Sequence, residues 1–67
     1  MELSARNQLK GTIKQVIHDN VMAEVVIDVG GVEVVAAITN SSVQRLGLKV
    51  GDQVTAIIKA TEVIVGK

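Results

Sequence analysis

Two β-branched runs, Val21–Val29 and Val32–Ile38, are separated by nothing but Gly30-Gly31. Glycine accepts the positive φ that a type I′ turn requires, so this spacing predicts a hairpin. In the first run Val21, Ala23, Val25, Ile27 and Val29 share one face, and Met22, Glu24, Val26 and Asp28 the other. In the second, Val32, Val34, Ala36 and Ile38 share a face, but Val35 and Ala37 make the opposite face apolar as well. A strand that is apolar on both sides calls for cover on both sides, which points to a partner subunit.

The rest of the chain reads as further short elements around this hairpin. Leu9–Ile17 predicts a strand with Leu9, Ile13 and Ile17 on one face and Lys10, Thr12 and Lys14 on the other. Gly11 inside it marks a bulge or a sharp bend. His18-Asp19-Asn20 is a turn cluster. Thr39-Asn40-Ser41-Ser42, just before Val43 and Leu46, has the hydroxyls and amide of a helix start, and Gly47 stops that helix in the left-handed conformation. A helix this short is held only by tertiary packing, here of Val43, Leu46 and Leu48 on the strands. After the turn Lys49-Val50-Gly51-Asp52, Gln53–Lys59 predicts a fourth strand with Val54, Ala56 and Ile58 inward. Thr61–Val65 predicts a fifth, after a kink at Ala60. The expected fold class is therefore all-β: a single domain over residues 1–67, an OB-like five-stranded barrel with one short helix between strands three and four. Closure would hide the strand edges. An SH3-like barrel is the nearest alternative, because periodicity reports order and not closure.

Size sharpens the expectation of a partner. Ordering a chain costs roughly 1.5 kcal/mol per residue, and a domain of this length buries only about 60% of its unfolded surface. Small domains compensate with disulfides, metals or oligomerisation. This chain has no Cys, one His and no aromatic residue, yet 48% of its residues are hydrophobic. A homo-oligomer is the expected outcome.

The same residues exclude several function classes. The formal net charge is zero, so there is no broad electrostatic footprint for nucleic acid or an anionic membrane. Single-strand binders of the OB type use aromatic stacking platforms, which are absent here. Nucleophilic catalysis needs Ser or Cys near a His with an orienting carboxylate, and His18 stands in a turn beside Asp19 alone. No GxxxxGK[ST] or GxGxxG stretch and no His/Cys/Asp/Glu cluster appears. No apolar run approaches the ~20 residues of a membrane-spanning helix. The expectation is a cytoplasmic, soluble, non-enzymatic protein without a cofactor.

What remains polar and specific is a set of donors. Ser4-Ala5-Arg6-Asn7-Gln8 combines a hydroxyl, a guanidinium and two carboxamides. Thr39, Ser41 and Ser42 stand at the predicted helix start, where backbone N–H groups are unpaired. Lys59, followed by the small Ala60, ends an apolar strand. None of these sites brings a carboxylate with it. Each reads equally as a solvated arm, a plain cap or a strand end, and sequence does not show that they converge.

Three segments carry a resemblance: Ser-Ala-Arg-Asn-Gln-Leu-Lys-Gly at 4–11, Ala-Ile-Thr-Asn-Ser-Ser-Val-Gln-Arg-Leu-Gly-Leu at 37–48, and Ile-Lys-Ala-Thr-Glu-Val at 58–63. In this order they resemble the molbindin (Mop) family of small molybdate-binding proteins of the TOBE/Mop domain type. The resemblance implies an OB-like fold, a hexamer arranged as a trimer of dimers, and oxyanion sites between subunits that take molybdate or tungstate. Carried over by match, one subunit would contribute Ser4, Ala5 and Arg6, and its neighbour Thr39, Ser42, Lys59 and Ala60. Whether Arg6 contacts the anion by its side chain or only its backbone stays open. With no DNA-binding or ATPase segment in these residues, a role in molybdenum storage or buffering is the implied function. The alternatives are a structural oligomerisation module, or an OB-type nucleic-acid binder, without an oxyanion ligand.

Overall fold

The computed structural model describes residues 1–67. It contains four strands, β1 (Asn7–His18), β2 (Met22–Val29), β3 (Val32–Thr39) and β4 (Gln53–Ile58), with a helix, α1 (Asn40–Leu46), between β3 and β4. All pairings are antiparallel and form one sheet in the order β3-β2-β1-β4. The hairpin forms as expected: Val29 pairs with Val32, and Gly30 and Gly31 take φ of 58° and 90°. The turn is reinforced by the Asp28 carboxylate, which accepts from Gly31 N–H at 3.0 Å.

The inner face of the sheet holds the core. Ile13, Ala23, Val25, Ile27, Val43 and Ala56 form one buried cluster, with Val16, Val34, Ala36 and Ile38 packed against it. α1 contributes only Val43 to it fully, and Gly47 (φ 63°) caps the helix with its N–H on the last turn's carbonyls.

β1 departs from simple alternation. Its register to β2 slips between Ile13 and Gln15, so that Ile13 faces Ile27 and Val16 faces Val25. Lys14 is the extra residue of a β-bulge. The bulge shifts every later side chain by one position, and Val16, not Ile17, joins Ile13 in the core; Ile17 is exposed. Lys14 reaches from the bulge to Glu33 on β3 and pairs with it in solvent. That hydrogen bond, aided by the carboxylate's charge, raises the Lys14 pKa above its ordinary value.

Gly11 is not the bulge. A Cβ at this position would lie 2.5 Å from the Asp28 carbonyl oxygen and 2.7 Å from a methyl of Ile27. β1 and β2 cross here with no room for a side chain. Just beyond, Ile13 stops pairing with β4 and bonds the preceding loop, its N–H to Asp52 C=O (2.9 Å) and its C=O to Gly51 N–H (2.8 Å).

The expected fifth strand does not form. Ala60–Glu62 is a turn of 3₁₀ helix, closed by Glu62 N–H on Lys59 C=O at 2.9 Å, and the residues after it pair with no strand. The sheet is consequently open, with four strands and free edges at β3 and β4. A strand needs an edge to pair with, and this segment pairs with neither edge of the sheet.

These contacts predict a sharp contrast in stability. Gly11→Ala should cost about 1–3 kcal/mol by forcing two backbones apart. Lys14→Ala, which removes only an exposed ion pair, should leave the unfolding midpoint close to that of the parent. Urea unfolding of the two variants measures both.

Candidate functional site

The hydroxyl cluster at the start of α1 is organised by Thr39, the N-cap. Its Oγ1 accepts from Ser42 N–H at 3.1 Å, which satisfies one of the helix's unpaired amides. It donates its own proton to Ser42 Oγ at 2.8 Å. Ser41 Oγ lies 3.1 Å away, and since the Thr39 proton is committed, Ser41 is the donor in that pair. Thr39 is thereby saturated. Ser42 Oγ, which accepts from Thr39 and stands 3.5 Å from an Arg45 Nη donor, keeps its hydroxyl proton free. The unused donors here are the Ser42 hydroxyl and the Ser41 backbone N–H.

Asn40 fixes where this cluster sits. Its backbone N–H bonds Val21 C=O at 2.7 Å, and its side-chain amide donates to the carbonyls of Asp19 (2.8 Å) and Asn20 (3.2 Å). That leaves Asn40 Oδ1 facing His18 Nδ1 at 2.8 Å, so the imidazole carries its proton on Nδ1. His18 is thus engaged in a latch between α1 and the β1–β2 turn, not merely solvated. Neither Asn40 nor Arg45 stood out in the sequence: Asn40 looked like one of four polar residues in a helix start. Its partners lie 20 to 22 positions away, and no local signal announces them.

The second donor group lies at the other end of β1. Asn7, the first residue of β1, pairs with Ile58, the last of β4, so Arg6 and Lys59 are the residues next to the end of this ladder. The arm ahead of β1 is tied down by Gln8, whose side chain donates to Ala5 C=O at 2.7 Å and whose N–H bonds Arg6 C=O at 3.1 Å. Ser4, Arg6, Lys59 and Ala60 are exposed, and Ala5 is half-buried. The ion pairs of the chain are Lys14–Glu33 and Lys49–Asp52, so neither Arg6 nor Lys59 is neutralised by a carboxylate.

In register the two groups belong to different strand ends, yet Ile38 and Leu46 beside the helix start line the same cleft as Lys59. Thr39 pairs with Met22, and Ala23 with His18 at the far end of β1, whereas Arg6 and Lys59 flank its beginning. No hydrogen bond joins Ser4–Arg6 or Lys59–Ala60 to Thr39 or Ser42. No group of three His, Asp or Glu side chains stands close enough to hold a metal ion.

The sequence pattern of the TOBE domain matches residues 3–65. The chain is a TOBE-domain protein. It is 46% identical over 66 residues to molybdenum-pterin-binding protein 3 of Clostridium pasteurianum, covering 97% of each chain. The TOBE domain seen here superposes with a TM-score of 0.95 on a molybdate-binding protein from Sporomusa ovata, at 51% identity with both chains fully covered. It also matches the cytoplasmic molybdate-binding protein ModG, solved with molybdate bound, at 44% identity and a TM-score of 0.86; it spans 90% of its own length and 43% of ModG. These relatives place the chain in the Mop group of the family.

The latch in this TOBE domain makes its own prediction. Asn40→Ala removes the side-chain hydrogen bonds between α1 and the β1–β2 turn, and should lower stability by about 1–2 kcal/mol. Amide exchange at Ser42 and Val43 should accelerate while exchange at Val25 changes only as far as global stability does.

Proposed function

We propose that this chain binds molybdate, and tungstate by the same chemistry, at sites built between copies of itself, without catalysing a reaction. The observation that carries the reading is the set of exposed donors left without a carboxylate partner: Arg6 and Lys59 form no ion pair, and Ser42 keeps a free hydroxyl proton. One copy offers Ser4, Ala5 and Arg6 from its arm. A neighbour offers Thr39 and Ser42 from its helix start, and Lys59 and Ala60 from the end of its β4. Ser42 donates through its free hydroxyl, Lys59 brings a point charge, and Ala5 and Ala60 donate through backbone N–H. With its hydroxyl already committed, Thr39 acts by aiming Ser42. The molybdate-binding relatives support the ligand.

The chemistry suits a tetrahedral dianion that has acceptors only. Monoprotonated phosphate brings an O–H, which finds no acceptor in such a cage and is disfavoured as an unpaired polar group. Sulfate is excluded only by cage size. The assembly this reading calls for is a hexamer arranged as a trimer of dimers, each copy closing to a five-stranded OB-like barrel on association. Storage or buffering of molybdenum in the cytoplasm is the role that such a ligand-binding, reaction-free oligomer fits.

Calorimetric titration with molybdate, tungstate, sulfate and phosphate tests the proposal. Heat is expected from the first two, and heat from none of the four would leave a purely structural oligomer. Lys59→Ala should weaken molybdate binding by about 1.5–3 kcal/mol, roughly 10- to 150-fold, with circular dichroism unchanged. Unaltered affinity removes Lys59 from the site.

A further inference from the structure

The arm Ser4-Ala5-Arg6 lies ahead of β1 and outside the sheet, and chain ends are loose unless something ties them down. Gln8 supplies two ties. Its side-chain amide donates to Ala5 C=O at 2.7 Å, and its backbone N–H donates to Arg6 C=O at 3.1 Å. A carbonyl oxygen only accepts, so it is the nitrogen of the Gln8 amide that faces Ala5. Gln8 is itself a strand residue, opposite Ile57 in the β1–β4 ladder, so both ties end on a rigid element. Two carbonyls of the arm are thereby taken up on the Gln8 side. A trans peptide is planar and holds its C=O and N–H antiparallel, and no peptide bond in this chain is cis. Fixing Ala5 C=O toward Gln8 therefore points the Arg6 N–H the opposite way. That N–H donates to nothing within the chain.

The geometry points to Gln8 as a positioning residue for the oxyanion site. It holds the Ala5 and Arg6 carbonyls away from the anion, so that the arm meets the ligand with the Arg6 N–H. Gln8 touches no ligand in this role. With the ties cut, the same carbonyls are free to turn outward, and a carbonyl oxygen that faces an anion repels it. Selectivity follows from the same contact. A cage rejects hydrogen phosphate only while its O–H finds no acceptor, and Ala5 C=O is an acceptor that Gln8 keeps occupied. The inference rests on the function proposed above and adds to it a residue that acts through the arm.

Two variants test it. Gln8→Met keeps the length of the side chain and removes the donor, whereas Gln8→Lys keeps a donor at similar reach. Both are titrated beside the parent with molybdate and, by competition, with hydrogen phosphate, which carries the same charge. Gln8→Met should bind molybdate about tenfold more weakly, and its preference for molybdate over hydrogen phosphate should fall. Gln8→Lys should restore that preference, because its added charge cancels from a ratio of two dianions. A general loss of stability weakens both anions alike, so an unchanged preference in Gln8→Met overturns the proposal, as does a preference that Gln8→Lys fails to restore. Amide NMR relaxation without any anion reads the arm directly. In Gln8→Met the Arg6 N–H should lose order while that of Val25 does not, and an arm as ordered as the parent's refutes the tie. A parent that binds molybdate beside a Gln8→Met variant of equal affinity and preference removes Gln8 alone. A parent that takes up no molybdate removes the proposed function, and the role of Gln8 with it.

Discussion

Ile13 holds the fold together at a single crossing. Its side chain is 1% exposed, in one buried cluster with residues of β2, β4 and α1. Its backbone leaves β4 and ties to Gly51 and Asp52 while β1 goes on pairing with β2. Gly11 makes that crossing close enough, and the bulge at Lys14 then turns Val16 inward. β1 thereby becomes a spine shared by both halves of the sheet: its first half pairs with β4 and its second half with β2.

Local signals were legible and long-range ones were not. Gly30-Gly31 and the Thr39-to-Gly47 helix are specified by backbone conformation and capping within a few residues, and both form where the sequence predicts them. The bulge at Lys14 has no local mark: nothing between Leu9 and Ile17 distinguishes an inward Ile17 from an outward one until β2 sets the register. Gly11 announces a special backbone position, but the reason is a neighbouring strand's carbonyl that only the fold brings near. The segment Thr61–Val65 has the composition of a strand, and composition cannot provide the edge a strand must pair with.

The candidate site shows the same division. Its candidate donors are chosen by chemistry, and the structure leaves Arg6 and Lys59 without an ion pair. Their division of labour is not fixed by chemistry alone. Thr39 looked like a donor, yet its proton is committed to Ser42, and the free hydroxyl belongs to the residue it caps. Asn40 looked like one more capping residue, yet it latches the helix to a turn some 20 positions earlier in the chain.

A cage for a small anion needs donors pointing inward from several sides, shielded from water. This chain has seven buried residues, all of them apolar, and no buried polar atom in want of a partner. Its interior is too small and too aliphatic to hold such a cage, and a charged ion placed there would lose its hydration without compensation. The surface of one copy presents donors only in open sets, where water competes for every hydrogen bond. Closing two such sets against each other is the remaining route to a shielded polar cavity for a domain of this size. The same closure would cover the apolar cleft and the Val63–Val65 segment that a lone copy leaves in water. On the function proposed above, assembly and anion binding would favour one another: the buried apolar surface would provide the driving force, and a bound dianion would stabilise the assembled form by mass action.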